Sequence, residues 1–244
     1  VLILKDELSN GIRLRAGTIV GSRGDVPWAL WTPEGVIPTQ LILAGHGASG
    51  SKYEDYIVAL ARGFVRQHAM AVLAIDGPVQ GDRANTGSTP FADFAAAWSS
   101  DEGLTDAMIG DWRRAIEEML AQGVITRDAR IGYWGLSMGT IFGLPLVAAE
   151  PRISACVLGL MGVAGPTRDR IAADAASISV PTLFLLQWDD KLFKRQDGLD
   201  LFDRIGAKDK TLLATPGEHA AVPAESFRRS AAFLVSRLAD GHSE

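Results

Sequence analysis

Cysteine is almost absent. Cys156 is the only one in 244 residues, which excludes an internal disulfide and every CxxC metal or redox motif. It lies in the apolar run Ala155 to Leu160, the setting of a buried core thiol rather than of a nucleophile. Long apolar runs are absent too. No stretch approaches the roughly 18 residues that a membrane span needs. The opening VLILKDELSNG has only four apolar residues before Lys5, Asp6 and Glu7, so it does not read as a secretory signal. A cytoplasmic protein with no membrane partner is the expectation, although a start at Val1 rather than Met leaves room for a leader ahead of it. Dense basic clusters are lacking as well: 24 basic against 29 acidic residues give a net charge of −5, so nucleic acid is not an expected partner. No pair of His, Asp or Glu has HExxH or comparable metal-ligand spacing, and no metal is expected.

What is present is an ordinary globular composition, 47% hydrophobic and 22% charged, with no repeat or low-complexity segment. The length suits one large α/β domain spanning residues 1–244. Ile12 to Val20 and Val26 to Trp31 are β-prone runs around Gly21 to Asp25, which predicts an antiparallel hairpin. From residue 40 the rhythm becomes strand then helix, repeated. Strands are expected at Gln40–Ala44, Ala71–Ile75, Ile131–Trp134, Ser154–Leu160, Thr182–Gln187 and Thr211–Ala214, each followed by a helical stretch. Parallel neighbours need a crossover and the helices supply it. The expected fold is therefore α/β: a mostly parallel eight-stranded sheet, helices on both faces, an antiparallel N-terminal edge and no large cap domain. The longest irregular stretch, residues 77–104, carries Phe91, Phe94 and Trp98. It reads as a small lid or pocket lining, or equally as a short helix at Phe91 to Trp98 whose aromatics are core contacts.

Residues 129–143 read ARIGYWGLSMGTIFG, with GxSxG formed by Gly135, Ser137 and Gly139 between an apolar strand and a small-residue helix. That context suits a sharp strand-to-helix turn with a strained, exposed nucleophile, whereas GxSxG alone is weak. Ligands of open parallel sheets bind beyond the carboxyl ends of the strands. Those positions hold GHGASG (residues 45–50), Asp76, Asp189 with Asp190, and PGEH (residues 216–219). Serine, acid and histidine in this order are what nucleophilic acyl transfer requires. Ser137 needs a base, and His219 is the histidine placed downstream at a strand end. Asp190 is the first choice for the acid and Asp189 the second. The backbone amides of Met138 and Ala48 are the expected oxyanion donors. His46 reads as a brace for its glycine-rich loop, Asp76 as a turn former, His68 as a solvated helix-end residue and His242 as part of the tail. Trp188, Leu192, Phe193, Phe91, Phe94 and Trp98, together with Met138, are candidates for an apolar pocket, though all could equally be core.

The set HGASG (46–50), DGPVQGDR (76–83), GLSMG (135–139), WDDKLF (188–193) and PGEH (216–219) resembles the α/β-hydrolase superfamily, and within it the compact dienelactone-hydrolase-like esterases. The resemblance runs from about Gln40 to the C-terminal helix. It implies Ser137 as nucleophile, Asp190 as acid, His219 as base, and Ala48 with Met138 as oxyanion donors. Dienelactone hydrolases carry cysteine where this chain has Ser137, which favours ordinary carboxylic esters. The expected activity is serine-dependent hydrolysis of a small-molecule ester without a cofactor. Amide hydrolysis or acyl transfer by the same triad is the alternative within enzymes, and a non-catalytic ligand receptor is the alternative outside them.

Overall fold

The computed structural model describes residues 2–85 and 87–239. The chain forms two compact units, Val1–Ile131 and Gly132–Glu244.

In the first unit the strands are β1 (Leu2–Ser9), β2 (Ile12–Gly21), β3 (Gly24–Pro33), β4 (Gln40–Gly45) and β5 (Ala71–Ile75). They lie in the order β1-β2-β3-β5-β4. β1 with β2, β2 with β3 and β3 with β5 are antiparallel, and β4 runs parallel to β5. β5, AVLAI, is buried at every position, as expected of a central strand covered on both faces. Helix α1 (Asp55–His68) buries Ile57, Leu60, Ala61, Phe64 and Val65, a stripe at spacings of three and four that faces the core. It packs on β3 and β5, and ends where Ala69 turns left-handed at φ 54°. A 3₁₀ turn over Gly81–Arg83 leads to α2 (Pro90–Ser100), capped by the Thr89 hydroxyl, and then to α3 (Leu104–Ala121). α3 buries Met108, Ile109, Trp112, Ala115, Ile116 and Met119, again at helical spacing, and packs on β2.

The second unit alternates throughout, starting from β6 (Arg130–Gly135), which enters it at Gly132, and continuing through α4 (Met138–Ala149), β7 (Ile153–Gly159), α5 (Arg168–Ser177), β8 (Thr182–Gln187), α6 (Arg195–Arg204), β9 (Lys210–Thr215) and α7 (Ala224–Ala239). Its strand order is β6-β7-β8-β9, with β7–β8 and β8–β9 parallel. α4 is buried from Met138 through Val147, so it is apolar on all sides rather than amphipathic. α7 packs on β7 and β8, with Trp134 stacked on Phe227 and its indole N–H bonded to Ser230 Oγ at 2.9 Å. Cys156 is fully buried, and burial pushes its thiol up to about 12, as a core thiol requires.

The α/β class, the antiparallel N-terminal strands and the absence of a large cap among the described residues agree with the reading of the sequence. The strand count does not: among the described residues there are nine strands, not eight. The added one is β1, which is exposed at seven of its eight positions. A strand with no buried face carries no alternation of apolar and polar residues to announce it. No described helix is long and apolar enough to cross a membrane.

Candidate active site

Ser137 sits between β6 and α4 with φ 57° and ψ −118°, a backbone region that costs a non-glycine residue of order 1–3 kcal/mol and persists only when its surroundings hold it. Several contacts do so. The Ser137 N–H donates to Gly159 O at 3.0 Å. The Thr140 hydroxyl accepts from the Gly159 N–H at 2.8 Å and lies 2.7 Å from Gly159 O and 2.9 Å from Gly135 O. Tyr133 donates its hydroxyl to Gly139 O at 2.5 Å. A Cβ on Gly135 would stand 2.6 Å from that hydroxyl, and one on Gly143 would stand 2.1 Å from the Tyr133 ring. Gly135 of the motif and Gly143 in α4 therefore make room for Tyr133, which braces the turn.

The structure brings Ser137, His219 and Asp190 together. His219 Nε2 lies 2.9 Å from Ser137 Oγ, and His219 Nδ1 lies 2.7 Å from Asp190 Oδ2. The other carboxylate oxygen of Asp190 accepts from the N–H groups of Leu192 at 2.8 Å and Phe193 at 3.1 Å, so the acid is held by its own loop. The Asp190 side chain is 4% exposed and that of His219 is 18% exposed, which leaves the base accessible and the acid sheltered. The Phe193 ring packs against the imidazole, centroids 5.8 Å apart. Asp189 points elsewhere. Its Oδ2 accepts from the Gly217 N–H at 3.0 Å, and its own N–H donates to Gly217 O at 3.1 Å.

Met138 is the first residue of α4, and among the described residues its N–H meets no backbone acceptor. The amino end of a helix offers such groups to a negative charge. Ala48, in the first unit, is buried and its N–H likewise meets no backbone acceptor among the described residues. The Gly47 amide beside it is occupied, donating to Tyr56 Oη at 2.8 Å, and burial pushes the Tyr56 phenol up to about 12.

Among the remaining pocket candidates, Trp188 and Leu192 are exposed, and the Arg195 guanidinium lies 4.2 Å from the Trp188 ring centroid. In the first unit, α2 carries the three aromatics of the irregular stretch. Phe94 is buried and stacks on Trp98 with centroids 5.6 Å apart, whereas Phe91 is exposed. A surface groove of about 700 Å³ in that unit, lined partly by Ile3, Leu8, Val36 and Ile37, includes none of the candidate residues.

His46 is buried, with Nδ1 2.8 Å from Gly47 O and Nε2 accepting from the Gly77 N–H at 2.9 Å. His68 is exposed in the last turn of α1, and His242 lies outside the described residues. Reading Asp76 as a turn former missed its weight. It is fully buried and accepts from the Lys52 ammonium at 2.7 Å, the Lys52 N–H at 2.8 Å and the Asp82 N–H at 2.9 Å. Lys52 also reaches Asp82 at 2.6 Å. Burial alone would lower the Lys52 ammonium, but Asp76 and Asp82 outweigh it and hold the group above its ordinary value. The motif DGPVQGDR explains itself here. Gly81 has φ +53°, and a Cβ there would collide with the Asp76 carboxylate, while Arg83 bonds Asp76 O at 3.2 Å and Asp111 Oδ2 at 2.9 Å. The sequence signal was the company Asp76 keeps, not its position.

No group of three His, Cys, Asp or Glu among the described residues is placed to hold a metal ion. No protein-family model matches the chain, and no curated protein matches it. Solved structures do. A cold-adapted esterase from an Arctic intertidal metagenomic library is 34% identical, with 96% of this chain and 97% of that one covered and a TM-score of 0.87. Acetyl xylan esterase 1 from Thermoanaerobacterium sp. JW/SL YS485 is 16% identical over 98% and 88% of the two chains, TM-score 0.74. The acetyl xylan esterase from Paenibacillus sp. R4 is 18% identical over 95% and 87%, TM-score 0.72. These two share the fold. With 34% identity over nearly the whole of both chains, the first shows more: this chain belongs to the α/β-hydrolase esterases.

Proposed function

We propose that this protein hydrolyses small carboxylic esters through an acyl-enzyme on Ser137. The observation that carries the reading is the unbroken contact from Asp190 through His219 to Ser137, at 2.7 and 2.9 Å. A neutral His219 donates its Nδ1 proton to the ionised Asp190, which leaves Nε2 free to accept from the Ser137 hydroxyl. As Ser137 Oγ attacks the ester carbonyl, Nε2 takes its proton, and Asp190 stabilises the imidazolium without itself being protonated. The developing oxyanion takes a hydrogen bond from a backbone N–H group, for which Met138 at the amino end of α4 is the candidate in the second unit. One such donor is commonly worth about 10²–10³ in rate. The imidazolium returns its proton to the departing alcohol. Water then adds to the acyl-enzyme, giving its proton to Nε2, and the carboxylic acid leaves as Ser137 regains its hydrogen.

The ester class is supported by the 34% identical esterase, while amides or non-water acceptors would use the same groups. Ser137→Ala should abolish turnover of p-nitrophenyl acetate and butyrate with the circular dichroism spectrum unchanged, and retained turnover would sink the assignment. A fluorophosphonate should label Ser137 rapidly. Ligand binding without labelling or turnover would instead mark a receptor. A panel of esters of increasing acyl length, with lactones and amides included, identifies the substrate class.

A further inference from the structure

β8 reads TLFLLQ and is buried throughout, yet its last residue, Gln187, is polar and only 2% exposed. A buried carboxamide must find partners for both its ends, and those of Gln187 are the last residue of β9 and the loop after it, which carries the base. Nε2 donates to Ala221 O at 2.7 Å and to Glu218 O at 3.2 Å, and Oε1 accepts from the Thr215 hydroxyl. The two carbonyls can only accept, so the amide orientation follows from chemistry. These carbonyls belong to residues just before and two after His219. They close a turn of their own, with the Ala221 N–H donating to Glu218 O at 2.9 Å. Gly217, at φ +126°, passes so near that a Cβ would stand 3.0 Å from Gln187 Nε2.

Pairing of β8 with β9 does not account for this clamp. Backbone bonds from Trp188 to Thr215 and from Asp189 to Gly217 carry the ladder as far as Gly217. Beyond it, residues 218–221 are tied back by the Asp190–His219 contact itself and by the Lys191–Glu218 pair, whose side chains are 78% and 66% exposed. An exposed pair of that kind holds little, about 0–1 kcal/mol. The buried tie is Gln187.

We propose that Gln187 is a positioning residue for His219, fixing the backbone on either side of the base so that Nε2 stays aligned with Ser137 Oγ. The proposal rests on the acyl-enzyme mechanism at Ser137. Gln187→Leu keeps the volume and removes all three bonds. Misplacement of a reacting group by about 1 Å can cost about 100-fold. On p-nitrophenyl acetate, well below the variant's melting temperature, kcat should fall by about 10–100-fold with KM within about twofold. Fluorophosphonate labelling of Ser137 should slow by the same factor. Thr215→Val, which removes only the hydroxyl that orients the amide, should lower kcat less, and adding it to Gln187→Leu should cost nothing more. An unchanged kcat in Gln187→Leu, or a loss carried wholly by KM, overturns the proposal. If Gln187→Leu does not fold, an unchanged kcat in Thr215→Val overturns it. A wild-type protein that neither turns over esters nor labels would overturn the acyl-enzyme mechanism instead.

Discussion

Two histidines follow two strands of this chain, and they have opposite fates. His46, after β4, is buried with both ring nitrogens spent on backbone, Gly47 O and the Gly77 N–H. His219, after β9, is partly exposed and spends one nitrogen on a carboxylate and the other on a hydroxyl. The first ring can only bridge two loops, because neither partner can exchange a proton usefully at neutral pH. In the proposed mechanism the second has a partner that gives a proton and one that stabilises the charge created. Position at a strand end is common to both, so it is the partners that separate the brace from the proposed base.

The sharpest way to break that contrast is to remove each ring. His219→Ala should lower kcat/KM for a p-nitrophenyl ester by about 10⁴-fold or more, since triad members act as a unit. Asp190→Asn comes next at about 10⁴-fold, because an amide on Nδ1 favours the wrong tautomer. Asp189→Asn should stay within about tenfold, as its carboxylate accepts from the Gly217 N–H and an amide oxygen can replace it there. Equal losses in the two aspartate variants would refute the assigned acid.

Most of this contrast was legible in the order of residues along the chain. GLSMG lay between an apolar run and a small-residue stretch, and the downstream acid and histidine each came after a strand. Asp189 and Asp190 could be ranked only by the apolar Leu192 and Phe193 downstream of them, and the choice becomes physical once the amides of those two residues are seen to hold Asp190. Other features had no pattern to read. β1 lacks a buried face. The Lys52–Asp76–Asp82 cluster joins Lys52 to acids 24 or more positions away through a buried charge, and charged residues ordinarily read as solvated. Phe94 and Phe91 are three apart on α2, yet one is buried and the other exposed, a distinction set by tertiary packing rather than by residue type.

A smaller effect is expected at His46, and of a different kind. His46→Ala leaves the Gly47 carbonyl and the Gly77 N–H without their ring partners in a buried place, at about 1–3 kcal/mol for each group left unsatisfied. Thermal unfolding should move down by several degrees, at about 2–4 °C per kcal/mol for a chain of this size. Turnover per folded molecule should fall far less than in His219→Ala. A loss of activity matching that variant would erase the distinction between the two rings.

The finest test is pH. Burial lowers the His46 imidazole below its ordinary value, with the Gly47 carbonyl and Asp76 favouring the proton and Lys52 opposing it. In the unfolded chain the same ring takes a proton below about pH 6.5, while in the fold it stays neutral to lower pH. The unfolded state therefore binds more protons in that window, and stability rises with pH there. His46 contributes fully above about pH 6.5, and its contribution declines as pH falls toward the folded value, by at most about 1.4 kcal/mol per pH unit. His46→Gln keeps a donor and an acceptor but cannot titrate. Its melting temperature should start lower at pH 7.5 and fall less steeply between about pH 6.5 and 5 than that of the wild type. Parallel curves would mean that His46 is not held neutral by burial, and would leave its two backbone bonds as its only distinction from His219.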